Sequence, residues 1–434
     1  NVINSMKNKP FEKSRLLLLA RRFPFNHGEV AAESYLESEI HCLALYFDEI
    51  IAIGTEAPHG DRPTCDLPPN VVPIALGCCN SHKDKLKHIV RGLLFPHGAG
   101  TQLEEAYASD PVKGAFKRVF RGYFAARALE KYVALCQTLD RRNLVPTHVY
   151  SFWFYDTALV ASWISRRYLC ARAVARAHRY DLYSDRTCLH YLPFRRYLLD
   201  SLDMVLACSK DGEAYINAMW PGFEEKVSTL YLGTRSLPNK SGEKCDDSLR
   251  LVSCSRVVDV KRVNLIAEAI IILERHGISV SWTHFGDGPL VGELKSICEK
   301  FTSSRVDLRG NLPNAELLSA YDAEHFDLFV NVSSSEGLPL SIMEACGFGI
   351  PVLATDVGGT HEIIEHGVNG FLLPERCTPD SVAASIEAFA ALDDDVKAEM
   401  RNAARDAWAR DFQTEKNVKE LARVLGVAVK ELDD

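Results

Sequence analysis

Ser333-Ser-Ser-Glu336-Gly337-Leu338-Pro339-Leu340-Ser-Ile-Met-Glu344-Ala-Cys-Gly347-Phe-Gly-Ile-Pro351 follows a six-residue apolar run, 327–332. A short, near-continuous apolar run reads as a strand buried on both faces. The loop therefore leaves the C-terminal end of a strand and opens a helix, the place where open α/β sheets bind ligands. The free N–H groups of Gly337 to Leu340 and the positive helix end suit an anion, and Pro339 suits a first helical position. Glu336 and Glu344 stand eight residues apart, about 12 Å of helical rise. One carboxylate belongs at the mouth beside a phosphate or sugar. The other lies two turns along, where it could accept bonds from ribose hydroxyls. Ile342, Met343, Ala345 and Cys346 surround Glu344, which favours a buried, paired carboxylate over a solvated one.

The same alternation extends to both sides. Strands are expected at 249–253, 278–285, 306–308 and 352–354, with helices at 263–276, 290–301, 315–321 and 339–346. Gly277 is a natural helix stop. Strand and helix in turn imply a parallel sheet covered on both faces. The first half repeats the theme less regularly, with strands expected at 15–20, 49–53, 71–74, 147–150, 171–177, 204–207 and 227–231. A mainly helical insertion spans about 82–142. The polar stretch 233–248 reads as the hinge between two doubly wound domains, 1–235 and 236–412, and a last helix lies within 413–434.

Composition narrows the class. With 434 residues, 47% hydrophobic and 25% charged, the chain is neither disordered nor a disulfide mini-scaffold. No apolar segment approaches the roughly 20 residues of a membrane span, and residues 1–10 lack the apolar core of a secretory signal. The thirteen cysteines form no Cys-x-x-Cys pair, so reduced thiols in a cytoplasmic protein are expected. The net charge of −8 divides into +5 over residues 1–235 and −13 over 236–434, two domains with unlike surfaces. Asp393-Asp394-Asp395 satisfies a metal-binding pattern but reads as a helix N-cap cluster. No metal site is expected. Nucleic-acid binding is disfavoured because the acidic half outweighs the basic one.

Glu336, seven residues, Glu344, then Gly347 and Pro351 resemble the nucleotide-sugar signature of glycosyltransferase family 4. Val352-Leu-Ala-Thr-Asp-Val-Gly-Gly-Thr360, Glu362, Gly367-Val-Asn-Gly370-Phe-Leu, Ser255-Arg256-Val-Val-Asp-Val-Lys261, Gly286-Asp-Gly288-Pro289 and Arg309-Gly310-Asn311-Leu312-Pro313 are similar to that family too. The resemblance covers nearly all of 249–412. It implies a GT-B fold of two Rossmann-like domains facing across a cleft, with the C-terminal helix returning to the N-terminal domain. It implies retaining transfer of a sugar from a nucleotide-diphosphate sugar, UDP- or GDP-linked, and donor contacts from Arg256, Lys261, Gly286, Gly288, Asn311, Leu312, Glu336, Gly337, Leu338, Pro339, Leu340 and Glu344. Arg256 and Lys261 would meet the charge of the leaving diphosphate, a role that fixed cations and helix dipoles can fill without a metal. No cofactor beyond the donor substrate is implied.

In the first half, Arg176-Ala-His178-Arg-Tyr-Asp181 ends an expected strand, and the resemblance assigns His178 to sugar positioning and Asp181 to orienting it or binding the acceptor. Gly28 in Phe23-Pro24-Phe25-Asn26-His27-Gly28-Glu29 stands where the family has a Gly-rich diphosphate loop, with one Gly rather than a pair. Lys113, Lys117 and Arg121 alternate with Phe116, Phe120, Tyr123 and Phe124, a basic amphipathic pattern that suits an anionic membrane surface. The expected acceptor is accordingly a glycan or lipid-linked hydroxyl in capsule or exopolysaccharide assembly, reached by a cytoplasmic protein peripheral to the inner face of the membrane. Three alternatives stand beside this one. A nucleotide-sugar epimerase would give product without acceptor. A noncatalytic sugar-nucleotide binder would release no nucleotide. A nicotinamide oxidoreductase would use Gly286-x-Gly288 with Asp307 as ribose ligand and change NADH absorbance.

Overall fold

The computed structural model describes residues 13–25, 33, 35–78, 81–94, 101–187, 189–235 and 248–428. Gly28 and most of the expected hinge lie outside them. The chain forms two compact units, Asn1–Leu232 with Thr414–Asp434, and Gly233–Gln413.

The first unit holds β1 (Arg15–Ala20), α1 (Tyr35–Leu43), β2 (Glu49–Gly54), β3 (Val71–Ala75), α2 (His82–Leu94), α3 (Thr101–Ser109), α4 (Ala115–Arg142) and β4 (His148–Ser151). It continues with α5 (Asp156–Tyr168), β5 (Arg172–Ala177), α6 (Arg179–Leu182), α7 (Arg195–Ser201), β6 (Met204–Ala207), α8 (Lys210–Met219) and β7 (Val227–Thr229). The seven strands are all parallel in the order β3-β2-β1-β4-β5-β6-β7. Leu16 to Ala20 are buried on both faces, which is why the sequence there shows no alternation.

The second unit holds β8 (Leu249–Cys254), α9 (Val263–Arg275), β9 (Val280–Phe285), α10 (Val291–Cys298), β10 (Arg305–Gly310), α11 (Asn314–Ala323) and β11 (Leu328–Asn331). α12 (Leu340–Gly347), β12 (Val352–Thr355), β13 (Gly370–Leu373), α13 (Pro379–Ala390) and α14 (Asp394–Asp411) complete it. Its six parallel strands run β10-β9-β8-β11-β12-β13. β13 escapes sequence reading because it is short, headed by Gly370 and at the sheet edge. Asp393 precedes α14 as its N-cap position. The last helix, α15 (Thr414–Val424), packs on α1 within the first unit.

The basic amphipathic pattern at 113–124 is divided: Lys113, Phe116 and Arg118 are exposed, while the rest turns toward the protein. α4 begins only at Ala115, Phe124 is in the core, and Phe120 lies against Tyr123 and Tyr191. Arg121 turns inward to donate to the Asp110 carbonyl and stacks over Tyr107. Further along α4, Lys131 is buried and lies 2.8 Å from Glu56 and 2.9 Å from Asp156, while Arg127 reaches the same two carboxylates at 2.7 and 3.1 Å. Two more of the insertion's positive charges thus serve as internal ties, because a buried cation demands a paired carboxylate.

Candidate functional site

Both sheets have the doubly wound order, and in the second the reversal falls between β8 and β11. Ligands bind outside the strand ends at such a point. The loops that leave these two strands are sewn together. Arg262, in the left-handed region at φ 50°, donates from Nε to the Val332 carbonyl at 2.7 Å and from its terminal nitrogen to the Ser333 carbonyl at 3.1 Å. The Ser334 amide donates to the Val260 carbonyl at 2.8 Å. This stitching carries Lys261 to Glu336: Nζ donates to Oε1 at 2.6 Å. Asn331 Nδ2 donates to the same oxygen at 3.3 Å. Glu336 is 8% exposed, Lys261 half-buried and Arg256 exposed.

Glycines let other backbone segments close on this pair. Gly358 has φ +56°, and a Cβ there would lie 2.2 Å from the Glu336 carbonyl oxygen. The Gly359 amide donates to the Gly337 carbonyl at 2.7 Å. Val357-Gly358-Gly359-Thr360 thereby braces the Glu336 loop. A Cβ on Gly286 would lie 1.9 Å from the Ser255 carbonyl oxygen, and one on Gly288 2.3 Å from that of Val257. Both glycines are filled by the β8 loop, so their freedom serves loop packing. Asn311 Oδ1 accepts from the Asp287 amide at 3.1 Å and so holds this turn, with Leu312 half-buried beside it in sequence. Asp307 is joined to Arg309 Nε at 2.7 Å. The turn and the acid that suggested a nicotinamide site are thus both engaged elsewhere.

Gly337, Leu338 and Leu340 are half-buried and Pro339 is buried at the entry to α12. Glu344 follows one turn into that helix. Its Oε1 accepts from Asn314 Nδ2 at 2.7 Å, and burial, opposed by this bond, pushes its carboxyl up to about 7. Desolvation disfavours the charged form, so near neutral pH Glu344 can both donate and accept.

In the first unit His178 ends β5 and starts α6. Its Nε2 lies 2.9 Å from the Phe152 carbonyl and its Nδ1 3.4 Å from Cys208 Sγ. Nε2 therefore carries the proton and Nδ1 accepts from the thiol. Burial and the nearby Arg176 charge push the ring down to about 3. His178 is thus a neutral, tethered imidazole with a half-buried ring. Of the two roles expected of Asp181, its contacts fit orienting His178. It is 0% exposed, and its oxygens accept from the amides of Phe154 and His178, each at 2.7 Å. Burial pushes its carboxyl up to about 7. It cannot reach an acceptor and instead fixes the turn that carries His178.

Sequence reading missed Arg262, Asn331, Asn314 and Glu33. Glu33 is buried, and its carboxylate accepts from the amides of Arg21, Arg22 and Phe23, each at 2.7 Å, and from Trp153 Nε1 at 2.5 Å. Successive N–H groups after β1 make an anion-binding concavity, and the chain fills it with its own carboxylate. No local signal marks Glu33; Arg262 could have been suspected as a third cation beside Lys261.

This architecture is the GT-B fold. Residues 237–407 match the family model described as glycosyl transferases group 1. The putative colanic acid biosynthesis glycosyltransferase WcaL of Salmonella typhimurium is 26% identical over 254 residues, 57% of this chain. The amylovoran biosynthesis glycosyltransferase AmsK of Erwinia amylovora is 31% identical over 160 residues, 35% of this chain and 39% of its own length. The match spans 62% of the length of WcaL. Among solved structures, Anabaena HepE in complex with UDP and glucose superposes with a TM-score of 0.60 at 16% identity over 95% of this chain and 99% of that one. Sucrose-phosphate synthase of Thermosynechococcus elongatus gives 0.64 at 13% identity, over 95% and 98%. No helix among the described residues is long and apolar enough to cross a membrane.

Proposed function

We propose that this chain is a retaining glycosyltransferase that moves a sugar from a nucleotide-diphosphate sugar to a hydroxyl of a glycan or lipid-linked acceptor in exopolysaccharide synthesis. The observation that carries the reading is the Lys261–Glu336 contact at the switch point of the second sheet, within the segment that matches the glycosyl transferases group 1 model. Departure of a nucleoside diphosphate builds negative charge, and preorganised cations and dipoles stabilise it. Lys261, Arg256 and the N-terminal end of α12 supply them, so transfer proceeds without a metal. Glu336 has Oε1 committed to Lys261 and Asn331, which suits it to orienting sugar hydroxyls rather than to forming a covalent bond. Attack then comes from the face the diphosphate leaves, with a donor phosphate oxygen taking the acceptor proton. Glu344 receives the ribose. His178, neutral and tethered, positions the sugar. The protein acts in the cytoplasm, peripheral to the inner face of the membrane.

A panel of UDP- and GDP-sugars, scored by thermal shift and by nucleotide release with and without chelator, tests the reading. The true donor raises Tm by mass action and releases nucleotide in the presence of EDTA. A panel in which no donor does either overturns transfer; full, metal-reversible loss in EDTA overturns the metal-free step. Sugar isomerisation without acceptor would assign an epimerase instead.

A further inference from the structure

α2 is gripped from one side. Gly92 and Gly122 pack backbone to backbone, so that a Cβ on Gly92 would lie 2.3 Å from the Gly122 carbonyl carbon. One turn earlier His88 is buried against Glu130, whose other oxygen takes Lys87 at 2.8 Å. The pairings 92 with 122 and 88 with 130 make α2 antiparallel to α4. The side of α2 turned away from these contacts carries Leu86, Val90 and Leu93, which are 63, 45 and 56% exposed. Their spacing of four and three residues aligns them as one ridge. Lys83, Lys85, Lys87 and Arg91 are exposed on the same helix. Asp84 is its one acid, and its Oδ2 accepts from the Ser81 amide and hydroxyl at 3.1 and 2.6 Å. The C-terminal end of α2 lies beside the first turns of α4, where Phe116 is 81% exposed and neighbours Lys117 and Arg118 in sequence.

We propose that α2 docks the protein on an anionic phospholipid leaflet, with Leu86, Val90 and Leu93 in the headgroup–acyl boundary and the lysines reaching lipid phosphates. An apolar ridge amid basic side chains is the pattern of a helix lying in a membrane interface, and long lysine stems let the ammonium rise to the headgroups while the ridge sinks. The charge decides between occupants. With Lys87 paired to Glu130, a second copy of this face would still set Lys83, Lys85 and Arg91 against the same three cations with Asp84 on each side, a repulsive pairing. A leaflet of anionic lipid complements them. The surface centres on α2 and shares only Phe116, Lys117 and Arg118 with the 113–124 pattern; it rests on the membrane-peripheral location proposed above and not on the transfer reaction.

Co-sedimentation of the full chain with phosphatidylcholine vesicles, with and without phosphatidylglycerol, tests the inference. Retention is expected only on the anionic vesicles and is lost at high salt. The variant Leu86→Ser/Val90→Ser/Leu93→Ser should weaken retention about tenfold or more with Tm and donor-induced thermal shift unchanged. Lys83→Glu/Lys85→Glu should abolish the preference for anionic vesicles. Wild type that stays in the supernatant overturns the proposal, as does a ridge variant that sediments like wild type. So does a wild-type dimer that the ridge variant turns into monomer without change in vesicle binding, which would assign the ridge to a second copy.

Discussion

Lys261 and Glu336, seventy-five residues apart in sequence, meet at 2.6 Å where the loops after β8 and β11 converge. In the proposed transfer the contact would join the cation that meets the leaving diphosphate to the carboxylate that orients the sugar. It also keeps a carboxylate that is only 8% exposed from standing without a counter-charge.

Replacing Lys261 by Ala removes a charge-assisted contact, a loss of about 1.5–3 kcal/mol, or roughly 10- to 150-fold in rate. Nucleotide release by Lys261→Ala and by Glu336→Gln should fall by that order while the circular dichroism spectrum is kept. Unchanged turnover in both variants would remove the site assignment.

Gly358→Ala should lose donor binding without touching a donor-facing side chain. The new Cβ would meet the Glu336 carbonyl oxygen at 2.2 Å, at a φ of +56°, so the loop carrying Glu336 must move. Left-handed strain alone costs about 1 kcal/mol. The expected readout is a lowered Tm and loss of the donor-induced shift; a variant that binds donor like wild type contradicts the bracing role.

The Glu344 carboxyl, pushed up to about 7 by burial, carries a pH signature. Between its ordinary value of 4.5 and about 7, the folded chain holds a proton that the unfolded chain releases. Stability therefore declines as pH rises through that window and levels off above it. Glu344→Gln abolishes this contribution, so thermal unfolding from pH 5 to pH 8 should show the wild type losing ground to the variant as pH rises. Parallel curves would place the carboxyl in its usual range.

Glu33→Ala should destabilise the first unit by about 3 kcal/mol, since three backbone amides and an indole N–H lose their shared acceptor in a buried setting. Thermal unfolding reads the loss. If added phosphate restores Tm in the variant and not in wild type, the vacated concavity is an anion site that Glu33 normally fills.

Much of this was legible in the chain. Central strands such as β1, β2, β11 and β12 show as apolar runs because a parallel sheet buries both of their faces, whereas the edge strands β7, β10 and β13 are shorter or more polar. The loop that bears Glu336 is readable because it sits directly between such a run and a helix start. Asp181 misleads as an acceptor ligand because it sits three residues from His178 at a strand end, where acids often face ligand. Whether its oxygens point to solvent or to the Phe154 amide is set by the loop after β4. Arg121 misleads for a similar reason: helical periodicity shows which residues share a stripe, not which of them turn inward.

The sequence by itself determined two parallel α/β sheets and a loop suited to an anion ahead of α12, since both are written in local periodicity and adjacent residue types; Arg256 and Lys261 stood out only through the family resemblance. Only the tertiary structure decided that Lys261 pairs with Glu336, that Gly286 and Gly288 serve packing, that Glu33 fills the turn after β1, and that Leu86, Val90 and Leu93 remain uncovered. The physical reason is common to all four. Burial and partner choice are settled between segments tens of residues apart in the chain, and no local pattern records which surface a folded neighbour will occupy.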